Sequence, residues 1–151
     1  MPTRVREILR RLTGAPQRRQ VAAAVPVRPS AAGRLEFLLV RTVDGARWTF
    51  PKGARERGET LAEAAAREAI EEAGAAGRIA AEPFTAYRYR GDTVVAFLLD
   101  VARTSAPLEA ERHPTWCGFE EARRKLAERR DAASGRELER VLHAAARAAV
   151  R

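Results

Sequence analysis

One short helix constrains this chain most, because local sequence defines both of its ends. Thr60 is a good N-cap residue, and Glu63 follows three positions later in the pattern of a capping box. The helix is predicted to run to Ala73 and to end at Gly74, since glycine readily takes the left-handed conformation found at helix C-termini. Any fold of the chain must therefore accommodate this helix and the side chains that it presents.

The helix carries three glutamates on one face, since Glu68, Glu71 and Glu72 are spaced i, i+3 and i+4. Three like charges repel one another, so a purely structural helix gains nothing from them unless something offsets the repulsion. A hard divalent cation would do so, because carboxylates are natural ligands of Mg²⁺ and Mn²⁺. Gly53 follows a predicted strand, and its free carbonyl could supply another ligand.

Arg67 lies beside these carboxylates and could pair with Glu63 or Glu71, or hold Glu59 in place. The alternative for such a segment is a solvated Glu/Arg helix face. Here, however, seven positions between residues 53 and 75 share one fixed spacing, which makes the pattern as specific as a well-spaced metal motif. The seven positions are Gly53, Glu59, Arg67, Glu68, Glu71, Glu72 and Gly74.

This spacing matches the Nudix box, and the chain resembles a Nudix hydrolase over roughly residues 20–130. Both hydrophobic positions of the box are alanine, Ala69 and Ala75, a mild departure that concerns helix packing and not the ligands. The resemblance implies an α/β fold, the α/β/α sandwich with a mixed β-sheet. It also implies metal-assisted hydrolysis of a nucleoside or other diphosphate linked to a further group.

The resemblance implies roles for the residues of the box. A bound metal would lower the pKa of water and neutralise phosphate oxygens, while a carboxylate removes a proton from the attacking water. Glu68 or Glu71 could be that base, and Arg67 would orient Glu59 and the carboxylate cluster. The implied ligands of Mg²⁺ (or Mn²⁺) are Gly53 through its carbonyl, Glu68, Glu72 and, as a third carboxylate or a hydrogen-bonding neighbour, Glu71.

The segment entering the box, Arg-Trp-Thr-Phe-Pro-Lys-Gly at 47–53, is similar to that of hydrolases of diadenosine and diphosphoinositol polyphosphates. In those enzymes a basic residue near the box meets the phosphate chain. Segments 18–23 and 116–122 also resemble the bacterial diphosphoinositol-phosphohydrolase-like branch. Tyr87 and Tyr89 share one strand face, and one face of that strand is expected to border the substrate. The candidate substrate-binding residues are Lys52, Arg41, Arg88 and Trp116.

Five other residues each have two interpretations. Glu109 and Glu111 could supply a base outside the box, although ordinary loop charge is favoured. Trp48 is interpreted as a core residue in preference to a platform for base stacking. Trp116 could either pack or stack on a ligand. Cys117 is interpreted as a buried, small apolar group and not as a nucleophile.

The net charge of +8 initially suggests a nucleic acid or another polyanionic partner. Residues 1–19, however, carry six Arg and one Glu, and residues 116–151 carry nine basic and six acidic groups. Residues 20–115 are neutral, with 13 groups of each sign. We therefore predict a basic N-terminal arm over 1–19, with an amphipathic helix at 3–13, and a single domain over 20–151.

The remaining elements follow from apolar runs and turn residues. Pro83 is expected to interrupt the strand region 79–89, and the apolar strand at 93–101 is expected to be central. No apolar run of about 18 or more residues exists, so no membrane-spanning helix is predicted. Strands are predicted at 21–27, 36–41, 47–50, within 79–89 and at 93–101, a loop at 52–59, and helices at 119–130 and 136–151.

The favoured function is metal-dependent cleavage of a phosphoanhydride bond in a dinucleoside polyphosphate or a diphosphoinositol polyphosphate. The alternatives are a pyrophosphatase that removes damaged nucleoside triphosphates, an ADP-sugar pyrophosphatase, and an RNA-binding module on a Nudix scaffold. The expected partner is a phosphorylated small molecule, with nucleic acid not favoured. We expect a cytoplasmic monomer or homodimer.

Overall fold

The computed structural model describes residues 19–150. The predicted arm at 1–19, with its helix at 3–13, therefore lies outside the described residues except for Arg19. Within this range the chain forms eight strands: β1 Val21–Pro29, β2 Leu35–Arg41, β3 Trp48–Thr49, β4 Lys52–Ala54, β5 Ala75–Ile79, β6 Thr85–Tyr89, β7 Asp92–Thr104 and β8 Thr115–Gly118. The helices are α1 Leu61–Ala73, α2 Phe119–Ala127 and α3 Ala132–Ala149, with a 3-10 helix at Ala110–Arg112.

The strands form one mixed sheet in which β1 and β7 are central. These two run parallel, with Val21 opposite Val94 and Val27 opposite Asp100. The main order is β3-β2-β1-β7-β5, while β4 pairs with β1, β6 with β7 and β8 with β2. All of the other pairings are antiparallel. The parallel pair explains why the apolar strand predicted at 93–101 lies inside the sheet, as expected.

Helices cover both faces of the sheet, which confirms the predicted α/β/α sandwich. Because side chains alternate along a strand, β1 contributes to two separate cores. Val21, Ala23, Val25 and Val27 pack with the buried residues of α2 and α3. Ala22 and Ala24 pack instead with the alanine face of α1, made of Ala64, Ala65, Ala69 and Ala73.

Several predicted boundaries change in the structure. Pro83 lies between β5 and β6, as expected. The loop predicted at 52–59 instead begins with β4, and Trp116 lies on β8, a strand that the sequence did not predict. The helix predicted at 119–130 ends at Ala127 because the backbone leaves the helical conformation at Glu128, with a ψ of 131°, and turns at Arg129, whose φ is 57°. The last helix starts before 136, because Asp131 caps it by accepting a hydrogen bond from the Ser134 N–H at 2.8 Å. No helix within 19–150 is both long and apolar enough to cross a bilayer.

The contact between α1 and the sheet leads to a stability prediction. Ala69 is fully buried, and Ala22 and Ala24 lie in the same core. Leucine at position 69 should therefore overpack this interface and lower the free energy of unfolding by about 1–3 kcal/mol. The same change at the exposed Ala133 of α3 is the control and should alter it by less than about 0.5 kcal/mol. Urea denaturation measures both, and equal stability of the two variants would contradict tight packing here.

Candidate active site

Helix α1 is held at both ends as the sequence predicts. The Thr60 hydroxyl accepts a hydrogen bond from the Glu63 N–H at 3.0 Å, and the Glu63 carboxylate accepts one from the Thr60 N–H at 3.1 Å. Gly74 has a φ of 63° and ends the helix. A side chain there would also meet the backbone of Ser105, so glycine is required twice over. These contacts fix both ends of α1 and so determine which of its glutamates face the neighbouring strand β4.

Arg67 organises the acidic cluster. Its guanidinium donates two hydrogen bonds to Glu59, at 2.8 and 3.0 Å, and a third to Glu68 at 2.9 Å. It also reaches Glu71 at 3.3 Å and the Ala54 carbonyl at 3.1 Å. The hydrogen bonds that Arg67 donates to Glu59 and then to Glu68 hold the pKa of Arg67 above its usual range. Of the three partners considered from sequence, Arg67 binds Glu59 and Glu71, while the third, Glu63, forms the capping box.

Glu68 lies directly against Gly53 of β4. A Cβ atom at position 53 would overlap the Glu68 carboxylate, so only glycine leaves room for that carboxylate where it is. Glu68 is 8% exposed, although it carries an ionisable group. The glycine is therefore needed for close approach of a side chain, and its φ is not in the left-handed region.

The sequence interpretation assumed a free Gly53 carbonyl, but the pairing of β4 with β1 gives this carbonyl a hydrogen-bond partner. Gly53 stands opposite Ala22 in the antiparallel β1–β4 ladder. Two residues along, the Ala24 N–H donates to the Pro51 carbonyl at 3.0 Å. Because hydrogen-bonded pairs alternate in such a ladder, the Gly53–Ala22 pair is also of the hydrogen-bonded kind. A carbonyl oxygen has two lone pairs, so one of them remains available to a cation.

Glu72 is the most buried carboxylate of the cluster, at 3% exposure. Burial, followed by a hydrogen bond with Glu68, raises the pKa of Glu72 to about 8. Arg112 opposes this shift, with its Nη1 at 3.6 Å from Glu72 Oε1. The two adjacent carboxylates repel each other when both are ionised, so they favour sharing a proton. A divalent cation would remove this repulsion and favour the ionised form of both.

These residues suit a hard cation in their chemistry. The donors are carboxylate and carbonyl oxygens, and the gap at Gly53 brings Glu68 close to the backbone. Across residues 19–150, however, no three acidic, histidine or cysteine side chains converge into a finished metal cage. Arginines instead neutralise the carboxylates: Arg67 binds Glu68 and Glu71, and Arg112 faces Glu72.

Sequence reasoning missed Arg112. It lies in the 3-10 helix, is 9% exposed, and donates to Glu109 at 3.1 Å and to the Arg41 carbonyl at 3.1 Å. Glu109 in turn donates its backbone N–H to the Glu71 carbonyl of α1 at 3.0 Å. Nothing in the local sequence marks this arginine, since only the return of the chain after β7 places it beside Glu72. Glu109 thus ties Arg112 to the site, whereas Glu111 is exposed.

A cavity of about 580 Å³ opens beside Glu72 and Gly53. Its size lies in the range of small-molecule sites. Lys52 lines it, with its Nζ 3.8 Å from the centre of the Tyr89 ring and 3.3 Å from the Thr49 hydroxyl. Burial lowers the pKa of Lys52. The lining also includes Arg19, Tyr89, Arg90, Asp92 and Arg112.

The other three predicted substrate-binding residues do not line this cavity. The Arg41 guanidinium lies 4.0 Å from the centre of the Trp48 ring, and Trp48 is buried in the core. Trp116 packs on β8 beneath Arg28, whose guanidinium carbon is 3.9 Å from its ring centre. Arg88 is exposed on β6 and lines a different cavity. Cys117 is buried, as predicted, and burial raises the pKa of its thiol to about 12.

Comparison with known proteins agrees with the fold and the box. A family model, described as the NUDIX domain, matches residues 18–138. "Nudix hydrolase 12, mitochondrial" from Arabidopsis thaliana is 44% identical over 57 residues, which is 38% of this chain and 28% of that protein. The chain thus spans well under two thirds of this relative.

Two solved structures have similar architecture. A binary complex of C. elegans Ap4A hydrolase superposes with a TM-score of 0.61 at 26% identity, covering 82% of this chain and 98% of that one. A NUDIX hydrolase from Nitrosomonas europaea gives a TM-score of 0.65 at 23% identity over 85% of this chain and 72% of that one, which supports the fold alone. Since the family model spans most of its length, the chain belongs to the NUDIX domain family.

Proposed function

We propose that this protein is a metal-dependent hydrolase that cleaves a phosphoanhydride bond in a polyphosphorylated small molecule. The observation that carries the proposal is one cavity that joins Lys52, Arg112 and Gly53 to the buried Glu72. Cations for phosphate and oxygen donors for a metal therefore meet in one place. Family membership supports the use of a divalent cation in general terms, and we propose Mg²⁺ or Mn²⁺.

The residues divide into two groups by task. Glu68, Glu72 and the second lone pair of the Gly53 carbonyl would hold the cation, with Glu71 as a third carboxylate or a neighbour. When bound, the cation lowers the pKa of water and neutralises phosphate oxygens. Arg67 keeps Glu68 in place, because it holds both that carboxylate and Glu59.

The other residues handle the proton and the phosphates. Glu71 is the better candidate for the base, because it is more exposed than Glu68, at 33% against 11% of the side chain. Lys52 and Arg112 would bind the phosphate oxygens that the cation does not reach. Burial already lowers the pKa of Lys52, and a phosphate in the cavity would favour its charged form.

Dinucleoside polyphosphates and diphosphoinositol polyphosphates are the favoured substrates. The resemblance of the segment 47–53 to hydrolases of these compounds supports them, as does the name of the similar C. elegans structure, an Ap4A hydrolase.

We propose a cytoplasmic location and a monomer or homodimer. Fluorescence imaging and light scattering test these two points, given that the Arabidopsis relative is named mitochondrial.

A substrate panel tests the proposal. The full chain is incubated with Mg²⁺ and diadenosine tetraphosphate, a diphosphoinositol polyphosphate, ADP-ribose and an oxidised nucleoside triphosphate, in water enriched in ¹⁸O. Mass spectrometry of the products identifies the phosphorus atom that water attacks. We expect the fastest turnover with one of the first two compounds. Preference for the oxidised triphosphate or ADP-ribose would instead assign one of the alternative pyrophosphatase activities, and RNA binding without turnover would contradict an enzyme.

A further inference from the structure

A second, strongly basic cavity adjoins the first. Its volume is about 210 Å³, and Tyr89 and Arg90 line both cavities. Among residues 19–150, five arginines line it, against one acidic residue, Asp131. We call these five the arginine basin: Arg47, Arg88, Arg90, Arg129 and Arg130.

The arginine basin is assembled from three separate parts of the chain. Arg88 and Arg90 come from the end of β6 and the turn that leads into β7, where Arg90 has a φ of 49°. Arg129 and Arg130 lie in the turn between α2 and α3. Arg47 directly precedes β3, and its Nε donates a hydrogen bond to the Arg129 carbonyl at 2.9 Å. Like charges brought together in this way repel one another, so an anionic ligand would stabilise the arrangement.

The acidic residue of this cavity offsets the charge only in part. Both oxygens of the Asp131 carboxylate accept hydrogen bonds from Ser134, from its N–H at 2.8 Å and its hydroxyl at 3.1 Å. These bonds lower the pKa of Asp131 and keep it ionised, but they commit it to capping α3. The basin therefore retains an excess of positive charge.

Arg130 has a donor without an acceptor. Its Nη1 donates to the carbonyls of Trp48 and Leu126, at 2.7 and 2.8 Å, whereas its Nη2 is buried and has no hydrogen-bond partner among the residues that the structure describes. The guanidinium carbon lies 6.0 Å from the Tyr89 ring centre. Lys52 of the first cavity lies 3.8 Å from the same ring centre. Tyr89 thus has a cation from each cavity beside it.

We propose that the arginine basin is a second phosphate subsite. It binds substrate phosphates other than those at the metal site that we propose at the glutamates of α1. Planar guanidinium groups match phosphate geometry, and several of them can share one phosphate. The cavity is smaller than the roughly 300–1,000 Å³ typical of sites for drug-sized ligands, so it suits a phosphate group and not a nucleobase with its sugar. This inference rests on the proposed function. It adds that the enzyme selects substrates with phosphates beyond the cleaved diphosphate.

The test removes two arginines that line only the basin. The double variant Arg88→Gln/Arg129→Gln leaves the lining of the larger cavity unchanged. The control Arg78→Gln/Arg103→Gln removes the same charge from exposed positions on β5 and β7. Calorimetry measures binding of inositol hexakisphosphate to each full-length protein without metal and at fixed ionic strength. We expect the basin variant to bind at least about tenfold more weakly than wild type, and the control to bind within about twofold.

A kinetic readout distinguishes the subsite from general electrostatic attraction. In the basin variant, KM for diadenosine tetraphosphate should rise at least about fivefold more than KM for ADP-ribose, which has fewer phosphates. Equal loss of hexakisphosphate binding in the control, or no loss in the basin variant, would overturn the subsite. If no compound is hydrolysed, the proposed function fails, and the binding measurement alone still decides the subsite. The single variant Arg88→Gln replaces the double variant if the latter does not fold, as judged by thermal unfolding.

Discussion

Replacing Glu72 with glutamine is expected to reduce turnover by at least about 10²–10³-fold with every substrate that the wild type hydrolyses. That range is the typical cost of removing one preorganised electrostatic group from an active site. Glutamine cannot supply a negative charge to a cation, yet it has nearly the shape of glutamic acid. Because burial raises the pKa of Glu72 to about 8, glutamine also resembles the state of this side chain at neutral pH without metal. The folded structure should therefore tolerate the change.

Two measurements accompany this prediction. Calorimetric titration with Mn²⁺ should show weaker binding in the variant, whereas thermal unfolding without metal should match the wild type. Glu82→Gln, which neutralises an exposed acid before β6, is the control and should retain full activity. Turnover by the Glu72 variant within about threefold of wild type would exclude this residue as a metal ligand.

Replacing Gly53 with alanine is expected to reduce kcat by about 100-fold while changing stability little. The added methyl group would overlap the Glu68 carboxylate, which must then move. This carboxylate is the far end of a flexible side chain, so the fold can adapt. A displacement of about 1 Å in an active site can nevertheless cost about 10²-fold in rate. The main loss should therefore appear in kcat and in metal affinity, not in the unfolding free energy.

Gly118→Ala provides a matched control. Within residues 19–150, no atom other than those of its chain neighbours would lie within 4 Å of a Cβ at Gly118, which is the N-cap of α2. The activity of the Gly118→Ala variant should equal that of the wild type, with at most a small loss of stability. Manganese titration and urea denaturation of both variants separate the two effects. A Gly53 variant with normal kcat would show that Glu68 need not lie against β4 for catalysis.

Helix α1 shows how much of the fold local sequence could predict. Its N-cap, capping box and C-terminal glycine all lie within fifteen consecutive residues, and the structure has each of them as predicted. Boundaries that depend on contacts between distant segments were predicted less well. Strand β8 consists of four residues whose pairing partner is β2, so its sequence alone has no strand-like alternation to detect. The end of α2 likewise lies at a turn that is bound to a distant segment, since the Arg129 carbonyl accepts from Arg47 and Arg130 donates to the Trp48 carbonyl, each 82 residues earlier.

The candidate site divides in the same way. Arg67, Glu59 and the glutamates of α1 lie close in sequence, and helical spacing with one strand-to-helix loop is enough to predict that they meet. Arg112 and Tyr89 come from later segments, and the sequence assigned neither to the metal-binding cluster. Arg41 and Trp116 were predicted to bind substrate, but their side chains lie against Trp48 and Arg28 respectively. Placing these residues requires the pairing of β2 with β3 and β8.

The sequence by itself determined the family and the acidic cluster, because both depend on spacing within one short segment where helix geometry is fixed. Tertiary structure alone decided which cations surround that cluster. The 26 arginines are too numerous for composition to single out any of them. Only the folding of the segment before β3, the end of β6 and the turn before α3 against one another brings five of them around a cavity next to Tyr89. Charge repulsion makes such convergence unfavourable unless long-range packing enforces it, and long-range packing cannot be inferred from local sequence.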